Sequence, residues 1–383
     1  MIGMARLFIL LLLPSLARAA CPADATSAAF GAPGHYPVGE RTLVLVDTTR
    51  VTPPHGSDAG APDRKLVTEV WYPGASDGKD VALAPGGPFP LVMSSPGLLD
   101  NRMGEAYYAR ILASRGFVVA AIDFPLTNTT FIGNPNGPFL GDVHNQAGDV
   151  SFVIDQLVAE SHDTNDWLHR GVDRHRIGAT GLSLGAVTTL LVTYHPTLRD
   201  RRIRASLPIA PGGACAINKK FFATKRPKLL TLVGEQDLIL PPDANALPAL
   251  QLLRSPATLV TLVHATHTAF AGLITFPSLV SYDTIGCSLL SNIASWGNPF
   301  DGLGGPAQGI TTTDISCSRI CKDPVPSNPP MLATREQLLT QTVEAAFFES
   351  TLHHSRSARC FLRDRLASEN ADVRVQVTHG RGH

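Results

Sequence analysis

The stretch RIGATGLSLGAVTTLLVTYHP, residues 176–196, decides how the rest of this chain is interpreted. An apolar run typical of a buried strand enters it, and a run with helical spacing leaves it. The pattern GLSLG, residues 181–185, lies where the two runs meet. A serine on a sharp strand-to-helix turn projects its hydroxyl above the sheet, and side chains two residues to either side would collide. We therefore predict that Ser183 is a nucleophile and that Gly181 and Gly185 are structural elbow glycines.

The same five-residue pattern occurs a second time, as GASDG at residues 74–78. There it follows WYP and runs into KDVALAPGGP, so no buried strand enters it and no helix leaves it. We predict a plain turn at this second site. The pattern alone is a weak signal, and the flanking elements favour residue 183 over residue 76.

Strand-like and helix-like stretches alternate along the chain around this turn. Residues 89–95, 117–125 and 228–234 are mostly apolar runs without alternation, which indicates strands of a parallel sheet that is covered on both faces. We predict an α/β fold with a mostly parallel eight-stranded sheet, helices on both faces, and residues 258–265 as the last strand. Helical spacing returns at residues 334–354, after a stretch that contains cysteines.

Residues 275–333 differ from the rest, because turn-forming residues dominate and three of the cysteines lie there. We interpret this stretch as a loop-rich cap or insertion with little regular structure. The predicted organisation is a signal peptide at 1–20, a catalytic core at 21–274, this insertion, and a segment at 334–383. That last segment supplies a helix that completes the core and ends in a frayed tail.

The amino terminus has the layout of a secretory signal. Arg6 precedes the apolar run of residues 7–13, and small residues follow up to Ala19 and Ala20, which predicts cleavage near these two alanines. The apolar run is too short to cross a bilayer. We therefore expect a secreted or periplasmic protein. Lipid anchoring at Cys21 is the less favoured alternative.

The cysteines are interpreted in the light of that export signal. In an oxidising compartment they are expected to form disulfides rather than to bind metal. The cysteines that remain after cleavage allow fifteen pairings, and their spacing does not choose among them. The six residues are Cys21, Cys215, Cys287, Cys317, Cys321 and Cys360.

Charge and hydropathy exclude two classes of partner. Among 383 residues, 32 basic side chains balance 32 acidic ones. This balance predicts neither a basic surface that binds nucleic acid nor a polybasic membrane patch. No stretch after the signal is apolar enough to span a membrane. The oligomeric state remains open at this level.

A serine nucleophile needs a base, and the base needs a carboxylate that orients it. In folds with this elbow the chain order is serine, acid, histidine. Glu235, Asp237 and Asp243 follow a predicted strand, and we favour Asp237 because it lies three residues past that strand, within the loop and before the prolines that restart the chain. His264 still lies within the apolar pattern of the next strand, and His267 lies in the loop beyond it. We predict Asp237 and His267 as the partners of the serine.

The negative charge that develops on the reacting oxygen needs backbone N–H donors. The residue after the nucleophile, Leu184, is expected to provide one. The loop after FPLVMSS is expected to provide the other from Leu98, with Gly97 allowing the chain to bend close to the oxyanion. A plain turn at residues 96–97 is the alternative.

Several stretches together resemble a known family. LVTEVWYPG, FPLVMSSPGLLDNRMGEAYYARILASRGFVVAAIDFP, GLSLGA, LVGEQDLILPP and HATHTAF look like the platelet-activating-factor-acetylhydrolase and dienelactone-hydrolase-like branch of the α/β-hydrolases. The SPG loop and the chain from the serine onward are also similar to bacterial cutinases and polyester hydrolases. The resemblance covers residues 35–275 and the final helix. It implies an α/β-hydrolase fold, a triad and an oxyanion hole at the positions named above, ester substrates and no cofactor.

Two departures from the family pattern bear on the substrate. The acetylhydrolases usually carry His-Gly where this chain has Pro96-Gly97, and dienelactone hydrolases use cysteine where this chain has Ser183. The expectation is an exported serine ester hydrolase that acts on a small-molecule or lipid ester without a metal. A carboxylesterase, a phospholipid acetylhydrolase and a polyester hydrolase all fit. An amidase or peptidase on the same scaffold and a non-catalytic binding protein are the rival hypotheses.

Overall fold

A computed structural model describes residues 20–224, 227–272 and 283–378 of the chain. The signal peptide predicted at the amino terminus therefore lies outside the described residues, apart from residue 20. The described residues form a single mixed sheet of ten strands. The strands are β1 Val38–Asp47, β2 Arg64–Pro73, β3 Gly78–Lys79, β4 Phe89–Ser95, β5 Val118–Asp123, β6 Val172–Leu182, β7 Ile203–Ile209, β8 Lys228–Gly234, β9 Ala257–Leu262 and β10 Val373–Thr378.

The sheet has the order β10-β9-β8-β7-β6-β4-β5-β2-β1-β3. Strands β4 to β9 are mutually parallel where they pair, which confirms the predicted parallel centre. At one side β2 runs antiparallel to β5, and at the other β10 runs antiparallel to β9. Because the carboxyl ends of parallel strands meet at one edge, the loops after β4, β6, β8 and β9 converge there.

The predicted strand number was wrong, because the sheet has ten strands rather than eight. The strand β3 is only two residues long and pairs with β1. The strand β10 lies in the carboxyl-terminal segment 334–383, for which only a helix and a frayed tail were predicted, so residues 258–265 do not hold the last strand. The sequence VRVQVT alternates valine with polar residues and pairs with β9 over its whole length, as suits an edge strand. Residues 379–383 lie outside the described part.

Helices cover both faces of the sheet, as predicted. α2 and α7 pack with one buried cluster of apolar side chains, and α3 and α4 pack with the other. Along the described ranges, no helix combines the length and the apolarity that a membrane span requires. The helices are α1 Ser27–Gly31, α2 Ala106–Ser114, α3 Val143–His162, α4 Leu184–Tyr194, α5 Ala246–Gln251, α6 Asp283–Leu289, α7 Ala333–Leu352, α8 Arg356–Cys360 and α9 Leu366–Glu369.

All six cysteines form disulfides, as expected for an oxidising compartment. One disulfide joins two positions 339 residues apart near the two chain ends, and the other two fasten the loop-rich stretch after α6. The alternative of a lipid on Cys21 is wrong for this structure, because that sulfur is already bonded to Cys360. The pairs are Cys21–Cys360, Cys215–Cys317 and Cys287–Cys321.

A buried carboxyl group on α7 gives a prediction about stability. Glu344 is fully buried, its Oε1 accepts a hydrogen bond from Thr180 Oγ1 at 2.6 Å, and burial raises the pKa of this carboxyl to about 8. The folded chain therefore holds a proton at Glu344 between pH values of about 4.5 and 8, where the unfolded chain has lost it. Folding stability consequently falls as the pH rises through this window.

Glu344→Gln removes that proton and is expected to reduce the loss of Tm between about pH 5 and pH 8 by roughly 2–5 °C. Thermal unfolding followed by circular dichroism at both pH values measures the difference. Glu349→Gln, on the same helix but ion-paired with Arg115, is the matched control and should leave the wild-type pH slope in place. An unchanged pH slope in Glu344→Gln would contradict a proton held at this carboxyl.

Candidate active site

The backbone of Ser183 adopts a conformation that a non-glycine residue rarely takes. Its φ is 56° and its ψ is −115°, and its N–H donates to the carbonyl of Ile209 at the end of β7 at 2.9 Å. Strand β6 ends one residue before it, and α4 begins one residue after it, at Leu184. A backbone of this kind costs about 1–3 kcal/mol and persists only where the surroundings hold it. This is the strand-to-helix elbow that the sequence predicts.

The two elbow glycines are required by close backbone contacts. A Cβ on Gly185 would lie 1.8 Å from the carbonyl oxygen of Ser95, which no side chain can tolerate. A Cβ on Gly181 would lie 2.6 Å from the same carbonyl oxygen and 2.6 Å from that of Gly185. The second GxSxG pattern has no such geometry, because residues 75–77 form a bend after β2 and Ser76 is exposed. The predicted distinction between the two patterns is thus confirmed.

Gly97 differs from the other two glycines. A Cβ there would meet the carbonyl oxygen of Leu182 at 3.4 Å and Cβ of Ser183 at 3.6 Å, which are ordinary contacts. These contacts by themselves do not require glycine at position 97. A side chain at position 97 would instead occupy space beside the serine, because Gly97 lines the cavity described below.

The predicted acid and base meet in the loops after β8 and β9. His267 Nδ1 and Asp237 Oδ2 are 2.7 Å apart, and both side chains are buried. The other carboxylate oxygen of Asp237 accepts the N–H of Leu240 at 2.6 Å, which fixes the orientation of the carboxylate. When Nδ1 of an imidazole donates a hydrogen bond to a carboxylate, Nε2 is the nitrogen that can accept a proton from a nucleophile.

The alternative acids and the alternative base are used elsewhere. Glu235 pairs with Arg374, and Asp243 pairs with Arg319 on the protein surface. His264 Nδ1 is bonded to the side-chain amide of Gln236 at 2.8 Å. None of the three alternatives lines the cavity beside the serine. This arrangement favours Asp237 and His267, as the sequence does.

Ser183 and His267 line one cavity of about 320 Å³. The lining residues come from the loops after β4, β5, β7, β8 and β9, from the end of β6 and the start of α4, and from the stretch that begins with α6. Most lining side chains are leucine, isoleucine or valine. The lining residues are Gly97, Leu98, Leu99, Asp100, Ile132, Leu140, Leu182, Ser183, Leu184, Val187, Gly212, Gly213, Ile239, Leu240, His267, Thr268, Ala271, Gly286, Leu289, Leu290, Ile293, Pro299, Phe300, Ile315, Ser318 and Ile320.

The two predicted oxyanion donors both line this cavity. Leu184 is the first residue of α4, where N–H groups have no acceptor within the helix. Leu98 lies in the loop after β4, next to residues whose own N–H groups are engaged: Leu99 donates to Thr127 and Asp100 donates to Gly97. Across the described ranges, neither the Leu98 nor the Leu184 N–H has an acceptor. Both amides are therefore available to a ligand oxygen.

The charges around His267 favour its protonated form. Burial lowers the pKa of the imidazole, but the carboxylate of Asp237, by its charge and its hydrogen bond, and the charge of Asp283 outweigh burial. The net pKa of His267 lies above the usual 6.5. An imidazole of raised pKa is a stronger base toward a serine hydroxyl.

Asp283, at the start of α6, is a residue of this site that sequence analysis missed. Its Oδ2 accepts the N–H of His267 at 3.0 Å and that of Leu238 at 2.9 Å. Its Oδ1 accepts the N–H and the hydroxyl of Thr268, both at 2.8 Å. No sequence signal marks this residue, because an aspartate at the start of a short helix is common and its partners lie far along the chain.

The described residues contain one grouping with the spacing of metal ligands, formed by Cys21, Cys360 and Asp364. The two cysteines are joined in a disulfide, so their sulfurs are not thiolate ligands. None of the three residues in this grouping lines the cavity of Ser183.

A mostly parallel sheet, with a strained serine at the carboxyl end of a central strand and an Asp–His pair in later loops, defines the α/β-hydrolase class. The family model described as PET hydrolase-like (PETase) matches residues 68–275, and the chain belongs to this family. This confirms the predicted resemblance to bacterial polyester hydrolases. The chain is therefore an α/β-hydrolase that acts on esters.

Solved structures give the same fold. A ferulic acid esterase from Streptomyces cinnamoneus superposes with a TM-score of 0.59 at 24% sequence identity. The match covers 90% of this chain and 98% of that chain, which supports the α/β-hydrolase fold. Among curated protein sequences, none matches this chain.

Proposed function

We propose that the protein is an exported serine carboxylic-ester hydrolase that works through an acyl-enzyme on Ser183. The observation that carries this proposal is the strained serine at the head of α4, in the same cavity as a buried His267 that is bonded to Asp237. A strained backbone of this kind clusters at functional sites, where it serves the chemistry of the side chain, and the half-buried Ser183 lines the cavity. Membership of the PET hydrolase-like family supports an ester as the substrate.

The acylation step uses each of these groups. The hydroxyl oxygen of Ser183 attacks the ester carbonyl carbon while His267 Nε2 takes the hydroxyl proton. The carbonyl oxygen becomes an oxyanion, which the N–H groups of Leu98 and Leu184 stabilise. Asp237 holds the imidazole in the tautomer that can accept the proton and stabilises the imidazolium that forms. Collapse of the intermediate breaks the ester bond, and His267 gives the proton to the leaving alkoxide.

Deacylation repeats the same steps with water. His267 removes a proton from a water molecule, whose oxygen attacks the acyl carbon attached to Ser183. The second oxyanion forms in the same place and uses the same two N–H groups. When it collapses, the carboxylic acid leaves and the serine recovers its proton from His267.

Export and domain organisation are part of this proposal. Three disulfides support a protein that folds in an oxidising compartment, as does the predicted signal peptide. We place the catalytic core at residues 21–274 and the cap at 275–333, and we assign α7 in the carboxyl-terminal segment to the completion of the core. The described part of the cap, residues 283–333, is named the cap segment.

A fluorophosphonate probe tests the nucleophile directly. The purified protein is expected to form one covalent adduct, which peptide mass spectrometry locates on the peptide that contains Ser183. In parallel, nitrophenyl esters and the matching nitroanilides separate an esterase from an amidase, because the two series share their acyl groups. Absence of labelling would contradict the enzyme hypothesis. Faster turnover of the anilides than of the esters would favour the amidase hypothesis.

The raised pKa of His267 predicts the acid limb of the pH profile. The base must be neutral to take the serine proton, so kcat/KM falls as the pH drops through the pKa of His267. Because that pKa lies above 6.5, the midpoint of the acid limb is expected above pH 6.5. Hydrolysis of an uncharged ester, measured by chromatography of the products, gives the profile. A midpoint clearly below about pH 6 would contradict this assignment.

A further inference from the structure

The first inference rests on the proposed function and concerns the substrate. The cap segment supplies nine of the residues that line the cavity, and the core supplies the others. Leu290 and Ile293 follow α6 directly, and Phe300 and Ile315 come from the loops beyond it. Six leucines, Ile239 and Val187 line the cavity from the core. Those leucines are Leu98, Leu99, Leu140, Leu182, Leu184 and Leu240.

The chemistry of this lining selects the ligand. Among the described residues, it holds no lysine and no arginine, and His267 and Asp100 are its only ionisable side chains. A phosphate or carboxylate group would lose its hydration there without a lysine or arginine to pair with, which is unfavourable. Phe300 is the sole aromatic side chain of the described lining, so the surface offered to a ligand is mainly branched aliphatic. The lining therefore fits a neutral aliphatic chain.

The cap segment is fastened to the core at several points. The disulfide Cys215–Cys317 joins it to the loop after β7, and Thr311 donates its N–H to the carbonyl of Ala216 at 2.8 Å. The side-chain amide of Asn245, before α5, donates to the carbonyl of Ser318 at 3.0 Å. A wall held in this way limits the length of the chain that the cavity accepts.

We propose that the cap segment and the core enclose an acyl subsite, and that the substrate is a small neutral ester with a medium-length aliphatic acyl chain. An ester whose acyl part carries a phosphate or carboxylate group is disfavoured as a substrate. In this proposal the acyl chain extends from Ser183 along the cap segment, which comes after the loop of His267 in the chain.

A series of straight-chain nitrophenyl esters, from about two to sixteen acyl carbons, tests the subsite. We expect kcat/KM to rise about fourfold per methylene until the cavity is full, and then to fall. Ile293→Trp fills part of the cavity and is expected to move the optimum by at least two carbons toward shorter chains. Val325→Trp, an exposed residue of the cap segment outside the lining, is the matched control and should keep the wild-type optimum.

The outcomes separate the subsite from the proposed function. A profile that is flat with chain length, in a protein whose Ser183 is labelled normally, overturns the subsite alone. Faster hydrolysis of phospholipid vesicles or polyester film than of every soluble ester overturns it as well. Turnover of no ester, together with no labelling of the serine, overturns the proposed function.

A second inference is carried by a different observation, the hydrogen bonds of Asp283, and it also rests on the proposed function. This fully buried carboxylate bonds the loop of the acid, at Leu238, and the loop of the base, at His267 and Thr268. Burial and the charge of Asp237 raise the pKa of Asp283, while the donated N–H groups favour its charged form.

The cap segment holds the acid loop from a second side. The N–H of Cys321 donates to the carbonyl of Leu238 at 3.0 Å, while the N–H of Leu238 donates to Asp283. Cys321 is bonded to Cys287, which lies four residues after Asp283 in α6. The residue next to Asp237 is thus held at both its N–H and its carbonyl by parts of the cap that a disulfide links to each other.

We propose that Asp283 is a positioning residue, which sets the relative placement of Asp237 and His267 by bonding the loops of both. Its charge also adds to that of Asp237 at the imidazole. The charged groups around His267 in the described structure are Asp237 and Asp283, and Glu336 lies behind them, bonded to the N–H of Thr266 at 3.0 Å.

Asp283→Asn replaces one acceptor oxygen by a donor that faces N–H groups. We expect kcat to fall about 10- to 100-fold with a smaller change in KM. We also expect the acid limb of kcat/KM to move to lower pH, since one negative charge near His267 is lost. Asp283→Glu keeps the charge, so it should keep the wild-type acid limb while its longer side chain lowers kcat. Asp314→Asn, an exposed residue of the cap segment, is the control.

Active-site titration with the fluorophosphonate separates positioning from loss of folded protein. A wild-type kcat per labelled site and an unmoved acid limb in Asp283→Asn would overturn the positioning role. If the asparagine variant does not fold, the glutamate variant decides, and a wild-type kcat per labelled site in that variant also overturns it. A lowered kcat per labelled site with a shifted acid limb supports it.

Discussion

Ser183→Ala is expected to lower kcat for a short-chain ester by about 10⁴-fold or more. The substitution removes the only atom that forms the acyl bond, whereas the two N–H groups and the cavity remain and account for the residual rate. Alanine at this position keeps the space around the elbow, so the variant should fold with a Tm close to that of the wild type. Initial rates of ester hydrolysis, together with thermal unfolding, measure both quantities.

The chain provides an unusual control for this substitution. Ser76 lies in the second GxSxG pattern, where it is an exposed bend residue. Ser76→Ala is expected to keep the wild-type kcat and to be labelled by the fluorophosphonate as the wild type is. A Ser183→Ala variant that retains more than about one hundredth of the wild-type kcat would contradict a nucleophile at this position.

The part of the site that could be predicted from the sequence is the part that depends on local rules. The two glycines of the elbow flank Ser183 at a fixed spacing, and the structure shows the backbone contacts that demand them. Asp237 and His267 follow predicted strands directly, so the convergence of strand ends was enough to bring them together. The elbow glycines and the Asp237–His267 pair could therefore be chosen without knowing how distant segments pack.

The features that escaped prediction depend on contacts between distant segments. Asp283 acts on loops 16 and 45 residues away, and an aspartate at the start of α6 gives no sign of this. The pairing of Cys21 with Cys360 spans almost the whole chain, and spacing cannot reveal it. The strand β10 was missed because six residues near a terminus have weak preferences until β9 offers an edge to pair with.

The cap segment has both a feature that the sequence predicted and features that it did not. Its composition predicted loops, but the structure shows that it provides both a wall of the cavity and the carboxylate that bonds the loops of Asp237 and His267. If the two proposals above hold, a change in this segment is expected to alter the accepted chain length and the relative placement of Asp237 and His267 together. Two of the three disulfides hold this loop-rich stretch.

The largest effect on stability is expected at Arg64, which lies at the start of β2 with its side chain fully buried. Its guanidinium bonds both oxygens of Asp142 at 2.9–3.0 Å and both oxygens of Asp149 at 2.6–2.8 Å. These carboxylates flank the first turns of α3, whose start follows the cavity residue Leu140. The cluster therefore fixes α3 against the sheet.

Arg64→Met is expected to lower the free energy of unfolding by about 3–5 kcal/mol, because it leaves Asp142 and Asp149 buried with too few donors. Urea unfolding at neutral pH measures the loss. The loss should shrink as the pH falls, since protonation neutralises the two carboxyls, and Asp142→Asn with Asp149→Asn should restore part of it at neutral pH. Arg110→Met, which removes a half-exposed ion pair with Glu40, is the control and should cost less than about 1 kcal/mol. An Arg64→Met variant as stable as this control would show that the buried cluster contributes nothing to the fold.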